Sequence, residues 1–201
     1  MLKDIRPAIV MMLVMTVLTG LAYPLAMTGI AQLVFPYQAN GSLIKKGDKV
    51  IGSALLGQNF TKPEYFHGRP SATTDTDPND SSKTVPAPYN AANSSGSNVG
   101  PTSKALIERV QADIEKLKAE NPKAPIPIDL VTTSASGLDP DVSPEAANFQ
   151  VPRVAKARNL EEGQVRRLVQ LHTDIRTIGI IGEPRVNVLQ LNMALDALKP
   201  R

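Results

Sequence analysis

His67 and His172 are the only imidazoles in this 201-residue chain, and they stand far apart in sequence. A zinc site or a nucleophilic triad needs converging partners, and neither histidine is accompanied by a local metal motif or a nucleophile elbow. His172 falls on a helical stripe with Leu168, where a packed histidine is the better reading than a ligand. Cysteine is absent, which removes disulfides, thiolate zinc sites, cysteine nucleophiles and a lipid-modified N-terminal Cys together. No catalytic residue and no metal-ligand set is assigned, and a hydrolase using Ser136 or His67 has little behind it.

Other strings come closer to chemistry without reaching it. Gly52-Ser53-Ala54-Leu55-Leu56-Gly57 has the glycine spacing of a phosphate loop, but Gln58 and Asn59 stand where Lys and Ser or Thr are required. A glycine turn after an apolar strand is the default there. Thr132-Thr133-Ser134-Ala135-Ser136-Gly137 concentrates hydroxyls whose oxygens suit an alkali cation, although such runs more often satisfy their own backbone through Ser/Thr and Asx turns. Arg153, Lys156 and Arg158 at helical spacing, with Arg166 and Arg167 beyond, read as a solvated face.

The elements that would position these residues begin with a membrane segment. No charge occurs from Pro7 to Phe35, a run of 29 residues. As a helix it would reach about 43 Å against a hydrocarbon core of about 30 Å. Pro24 inside the run predicts a kink or local break, and Phe35 and Tyr37 sit where rings prefer the headgroup level. A cleaved signal peptide, with Lys3 and Arg6 as its basic region and Gly29-Ile30-Ala31 as its cleavage site, is the weaker reading, because signal cores run about 7–15 residues. The expected organisation is a short tail at 1–6, a transmembrane helix at 7–35 and a soluble domain at 36–201. Lys45, Lys46 and Lys49 downstream oppose the charge rule, yet long domains translocate largely regardless of charge and Arg6 sits at the membrane edge. The N-terminus is therefore expected in the cytoplasm and the large domain outside it.

Within the soluble part, Leu43-Ile44-Lys45 and Lys49-Val50-Ile51 predict a hairpin around Gly47. From Ser71 to Pro101, 23 of 31 residues are Ser, Thr, Asn, Asp, Gly or Pro, which predicts a long polar loop. Leu106, Val110, Ile114 and Leu117 form one stripe of a helix capped by Thr102 or Ser103 and ended by Asn121-Pro122. Ile126, Ile128 and Leu130 alternate across two prolines as an extended edge strand. Ser143-Pro144-Glu145 opens a helix that Pro152 bends or restarts. Val165, Leu168 and Val169 mark another. Val186 and Val188 suggest a short strand before the last stripe, Leu191, Leu195 and Leu198. Helices and short strands without regular alternation predict an α+β fold.

Charge narrows the partners. Lys and Arg total 22 against 19 Asp and Glu, for a net +3, and there is no Trp beside four Tyr and four Phe. A basic stripe with interleaved aromatics is missing, so nucleic acid is excluded as a partner.

Longer strings carry a resemblance. Ser53-Ala54-Leu55-Leu56-Gly57-Gln58 precedes Tyr65-Phe66-His67-Gly68-Arg69-Pro70-Ser71-Ala72, and Gly96-Ser97-Asn98 precedes Gly100-Pro101. DLVTTSASGLD from Asp129 to Asp139 leads into Ser143-Pro144-Glu145-Ala146-Ala147 and Gln150-Val151-Pro152-Arg153-Val154-Ala155. Gly182-Glu183-Pro184-Arg185-Val186-Asn187-Val188-Leu189-Gln190-Leu191-Asn192 closes the set. Together they resemble the C subunit family of the Kdp potassium-transporting ATPase, a bacterial high-affinity K⁺ uptake pump, over nearly the whole chain. The resemblance departs around Asp75 to Pro88, where this chain carries a long insertion. It implies a non-catalytic accessory subunit of the inner (plasma) membrane. Its implied partners are a channel-like K⁺-translocating subunit, a catalytic P-type subunit and the lipid bilayer. It also implies a rise in the ATP affinity of the catalytic subunit, with ATP as the nucleotide and Gly57 and Gln58 carried over as contact candidates. A domain outside the cell cannot touch cytoplasmic ATP, so the effect is expected to be indirect. The alternative is an anchored or secreted binding protein unrelated to transport. Thr16 and Gly20, four apart on one helix face with Thr19 beside them, are the candidate contacts to a partner helix.

Overall fold

A computed structural model describes residues 2–198, which divide into two units at Ile51/Gly52. The first opens with helix α1 (Leu2–Val17), passes through a π-helical turn (Leu18–Ala22) and continues as α2 (Tyr23–Val34). The stretch Lys3–Val34, 32 residues, is long and apolar enough to cross a membrane, and none of it is buried within the chain. The helix therefore begins before Pro7 rather than after a separate tail. Pro7 sits in the second turn and forgoes a single bond, to the Lys3 carbonyl. At Pro24 the helix neither stops nor breaks. The proline stands in the first turn of α2, and the preceding residues widen into the π turn, where Tyr23 N–H bonds to the Leu18 carbonyl five residues back. Helix α3 (Pro36–Ala39) is one turn, followed by the hairpin of β1 (Leu43–Lys46) and β2 (Lys49–Ser53) with Gly47 at φ +62°.

The second unit is α+β. The segment expected as one polar loop contains a hairpin, β3 (Thr74–Asp77) and β4 (Asp80–Pro86), paired from Thr74↔Pro86. Its strands alternate no apolar residues, so nothing in the local pattern announced them. Asp77 and Asp80 form Asx turns, accepting from the N–H groups of Asn79 and Ser82 at 2.8 and 3.0 Å. Helix α4 (Lys104–Glu120) follows with Ser103 at its N-cap position. The extended strand expected at 126–130 is instead a 3₁₀ turn over Ile128–Leu130, burying Leu130 while Ile128 stays exposed. The cause is long-range: Asp129 reaches Ser143, accepting from its N–H at 2.7 Å and its hydroxyl at 3.1 Å.

Ser143 also caps α5 (Pro144–Arg158), accepting from Ala146 N–H at 3.0 Å. Pro152 does not restart α5, which runs unbroken to the left-handed cap at Asn159. Helix α6 (Glu162–Leu171) buries Val165 and Val169 and ends at His172, which caps it rather than extending its stripe. Strands β5 (Asp141–Val142), β6 (Thr173–Asp174) and β7 (Arg185–Asn187) make a small antiparallel sheet in the order β5-β7-β6. Val188 belongs to α7 (Val188–Ala197), not to the strand. The core joins Phe66 and Val142 to Ala146, Val151 and Val154 of α5, Val165 and Val169 of α6, Val186 of β7 and Leu191 and Leu195 of α7.

Candidate functional site

The segment Pro63 to Ser71, a turn through Tyr65 and then chain outside any helix or sheet, lies against this core, so its buried backbone groups need partners. Two carboxamides supply them, each acting as a strand neighbour because it carries one acceptor and one donor side by side. Asn192 on α7 accepts from Phe66 N–H at 2.8 Å and donates to the Phe66 carbonyl at 2.9 Å. Gln150 on α5 does the same for His67, at 2.8 and 3.0 Å. Both side chains are fully enclosed. The charged residues of α5 extend the clamp. Arg153 donates to the carbonyls of Pro63 and Tyr65 at 2.6 and 2.9 Å and pairs with Glu120 at 2.8 Å. Arg158 donates to the Glu64 carbonyl at 2.7 Å, pairs with Asp196 at 2.6 Å and lies over the Tyr65 ring. These two residues, expected on a solvated face, are the fixings of the segment.

Past His67 the segment is locked to the polar strings. Arg69 pairs with Asp139 at 2.9 Å and reaches the Thr133 carbonyl at 3.3 Å, while Tyr89 O–H donates to the Arg69 carbonyl at 2.7 Å. Burial pushes the Tyr89 phenol up to about 12, helped by the nearby Asp139 charge, so it remains a donor at physiological pH. Gly57 and Gly68 flank that ring. A Cβ on Gly57 would lie 2.4 Å from a Tyr89 ring carbon and 2.6 Å from the Asp139 carbonyl, and one on Gly68 would lie 2.3 Å from the Tyr89 hydroxyl. Gly57 thus has a packing reason to be glycine. The Gln58 amide sits against Gly52, whose missing side chain leaves room for it beside Leu189. Ser53 Oγ accepts from Leu55 N–H at 3.1 Å, forming a side-chain turn where a phosphate loop would present amides outward.

The hydroxyl-rich stretch bonds to itself and its neighbours. Ser134 Oγ accepts from Gly137 N–H at 2.9 Å, Ser136 Oγ from Leu138 N–H at 3.1 Å, and Ser71 O–H donates to the Gly137 carbonyl at 2.7 Å. Its oxygens serve turns. Beside it opens a cleft of about 530 Å³ lined by His67, Arg69 and Tyr89 with Asp113, Lys116 and Glu120 of α4. His67 donates through Nε2–H to the Lys62 carbonyl at 3.0 Å. Burial, and then the Arg153 guanidinium, hold its pKa below the usual imidazole range, so it is neutral at pH 7. Asp113 and Glu120 are already paired with Arg109 and Arg153 at 2.9 and 2.8 Å. His172 donates to the Leu168 carbonyl at 2.9 Å, apart from the cleft. Among the described residues no cluster of three or more His, Asp or Glu is placed to hold a metal. The arrangement is one for holding shape.

Thr16 and Gly20 lie on the membrane-length helix. Space around Gly20 is open to 4 Å, and Thr19 donates its hydroxyl to the Met15 carbonyl at 2.6 Å, at the start of the π turn. The sequence reading missed Gln150, Asn192 and Arg153 as the organising polar residues. Gln150 and Asn192 each carried one signal, a polar residue on an otherwise apolar helical stripe, and Arg153 carried none.

Residues 5–197 match the family model described as K⁺-transporting ATPase, c chain. A protein of Rhodopseudomonas palustris (strain BisB18), named potassium-transporting ATPase KdpC subunit, is 71% identical over 199 residues, covering 99% of this chain and 100% of the relative. A Bradyrhizobium diazoefficiens protein of the same name is 70% identical over 196 residues, covering 98% of each. One from Methylobacterium nodulans, also so named, is 65% identical over 198 residues, again covering 98% of each.

Proposed function

The chain belongs to the KdpC family, the c chains of K⁺-transporting ATPases, and from that premise we propose that it works as a non-catalytic accessory subunit of a high-affinity potassium uptake complex. Membership from residue 5 to residue 197, membrane-length helix included, is the observation that carries this reading. The helix anchors the chain in the inner membrane with its N-terminus in the cytoplasm. The α+β unit lies outside and rests on the channel-like subunit. Catalysis belongs to the P-type subunit, which forms an aspartyl phosphate; this chain supports assembly and raises ATP affinity indirectly, by conformational coupling. Supporting the indirect route, Gly57 and Gln58 already have packing roles within the unit.

Affinity purification of the chain in mild detergent is expected to recover the channel-like and P-type subunits, and its deletion to abolish K⁺ uptake at limiting K⁺. A chain that elutes alone, with uptake intact after deletion, overturns the proposal. In the assembled complex, Gln58→Ala is expected to leave the ATP dependence of hydrolysis unchanged. A weakened ATP dependence in an intact complex would put the nucleotide contact on this chain.

A further inference from the structure

Just past the end of α2, the first unit carries cations that its own fold leaves unpaired. Lys45, Lys46 and Lys49 of the β1–β2 hairpin are exposed, and no ion pair among the described residues reaches any of them. Between Pro36 and Ser53 the only carboxylate is Asp48. Leu43 and Val50 of the same hairpin are 41% and 46% exposed, so cationic and apolar side chains share one small element. That hairpin is fixed to the membrane-length helix. Asn40 donates its amide to the Gln32 side chain of α2 at 3.0 Å and to the Pro36 carbonyl of α3 at 2.6 Å. Tyr37 O–H donates to the Ser42 carbonyl at 3.1 Å, and Ser42 N–H returns to the Tyr37 carbonyl at 3.0 Å. Gly41 at φ +83° and Ser42 at φ +49° turn the chain sharply before β1. The junction is built rather than a free tether.

Depth and chemistry together select the occupant. Phe35 and Tyr37, 57% and 51% exposed, are rings of the kind that prefer the headgroup level. The four residues of α3 advance about 6 Å, and a headgroup layer is roughly 5–7 Å deep, so β1 opens within reach of the lipid phosphates. Elements that lie in that layer present lysines beside apolar side chains. An anionic surface attracts each lysine that comes within about a Debye length of it. Lipid answers both halves of the hairpin, with phosphate for the three lysines and acyl carbon for Leu43 and Val50. We propose that the β1–β2 hairpin lies in the headgroup layer where α2 leaves the bilayer, and that its lysines bind the phosphates of anionic phospholipids. This rests on Lys3–Val34 crossing a membrane, and it holds for either orientation of the chain.

In the test, the full chain, alone and in its native complex, is reconstituted into phosphatidylcholine vesicles. These carry a trace of phosphatidylglycerol with a photoactivatable diazirine beside its headgroup, or the matching phosphatidylcholine analogue. Mass spectrometry of the peptides then locates the lipid adducts. On residues 43–50 the phosphatidylglycerol adducts are expected to exceed the phosphatidylcholine adducts by about fivefold or more, and to decline in about 0.5 M NaCl. The triple variant Lys45→Gln/Lys46→Gln/Lys49→Gln should bring them down to the phosphatidylcholine level at an unchanged thermal midpoint, whereas Lys45→Arg/Lys46→Arg/Lys49→Arg should retain them. Equal labelling by the two lipids, or an excess that persists in the glutamine variant, overturns the proposal. So does loss of the hairpin adducts when the other subunits are present, which would give this surface to a protein partner. Failure of the membrane reading is distinguishable, since the chain would then not float with the vesicles.

Discussion

Asn192 shows how one buried side chain supports a whole segment. It is 1% exposed and satisfies both backbone groups of Phe66. Asn192→Ala orphans that N–H and carbonyl in the core and is expected to cost about 2–4 kcal/mol, measured by urea unfolding of the detergent-solubilised chain. His67 makes a pH prediction. Burial, and then Arg153, depress its folded pKa below the ordinary 6.5. As pH falls through 6.5 the unfolded chain takes up a proton that the native ring resists, so stability declines there and levels off once the native ring is protonated. His67→Gln should flatten the fall in thermal midpoint between about pH 7.5 and 5.5. An equally steep fall would assign the effect to other groups.

At the scale of elements, the π turn at Leu18–Ala22 and the clamp helix α5 pose different questions. Ser143-Pro144-Glu145 made the start of α5 legible, because capping is chemistry among near neighbours. The 3₁₀ turn at Ile128–Leu130 was not legible, because the bond that draws Asp129 in comes from Ser143, fourteen residues on. The π turn lies between Thr16 and Tyr23, on the stretch whose small residues let helices approach closely. If that face packs on a partner helix, Gly20→Leu and Thr16→Leu should each reduce recovery of the other subunits at equal membrane expression. The second unit, whose core includes neither residue, should keep its thermal midpoint. Unchanged recovery for both variants would leave the helix as a tether.

For the molecule as a whole the decisive quantity is which side of the membrane each end occupies. The chain has no cysteine of its own, so single cysteines report cleanly. Ser82 lies exposed on β4 and Lys3 lies near the start of α1. With the proposed orientation, an impermeant thiol reagent applied to intact cells should label Ser82→Cys and leave Lys3→Cys unlabelled. Labelling of Lys3→Cys alone would reverse the orientation and bring the soluble unit to the side where ATP is found.

The amino-acid sequence by itself determined the features that depend on neighbours along the chain. These are the uncharged run that makes up most of the membrane-length helix, the hairpin around Gly47, the start of α5, the α+β character and, through long exact strings, the family. Tertiary structure alone decided which polar residues matter. Gln150, Asn192, Arg153 and Arg158 read as ordinary helix positions until the segment 63–71 is laid across them, and Gly57 read as a turn residue until the Tyr89 ring came against it. The β3–β4 hairpin likewise lay hidden in a polar run, because strands exposed on both faces have no apolar alternation to betray them. Local periodicity and capping are written in short spacings, whereas the partners of buried backbone groups are chosen across scores of residues by the packing of the finished core.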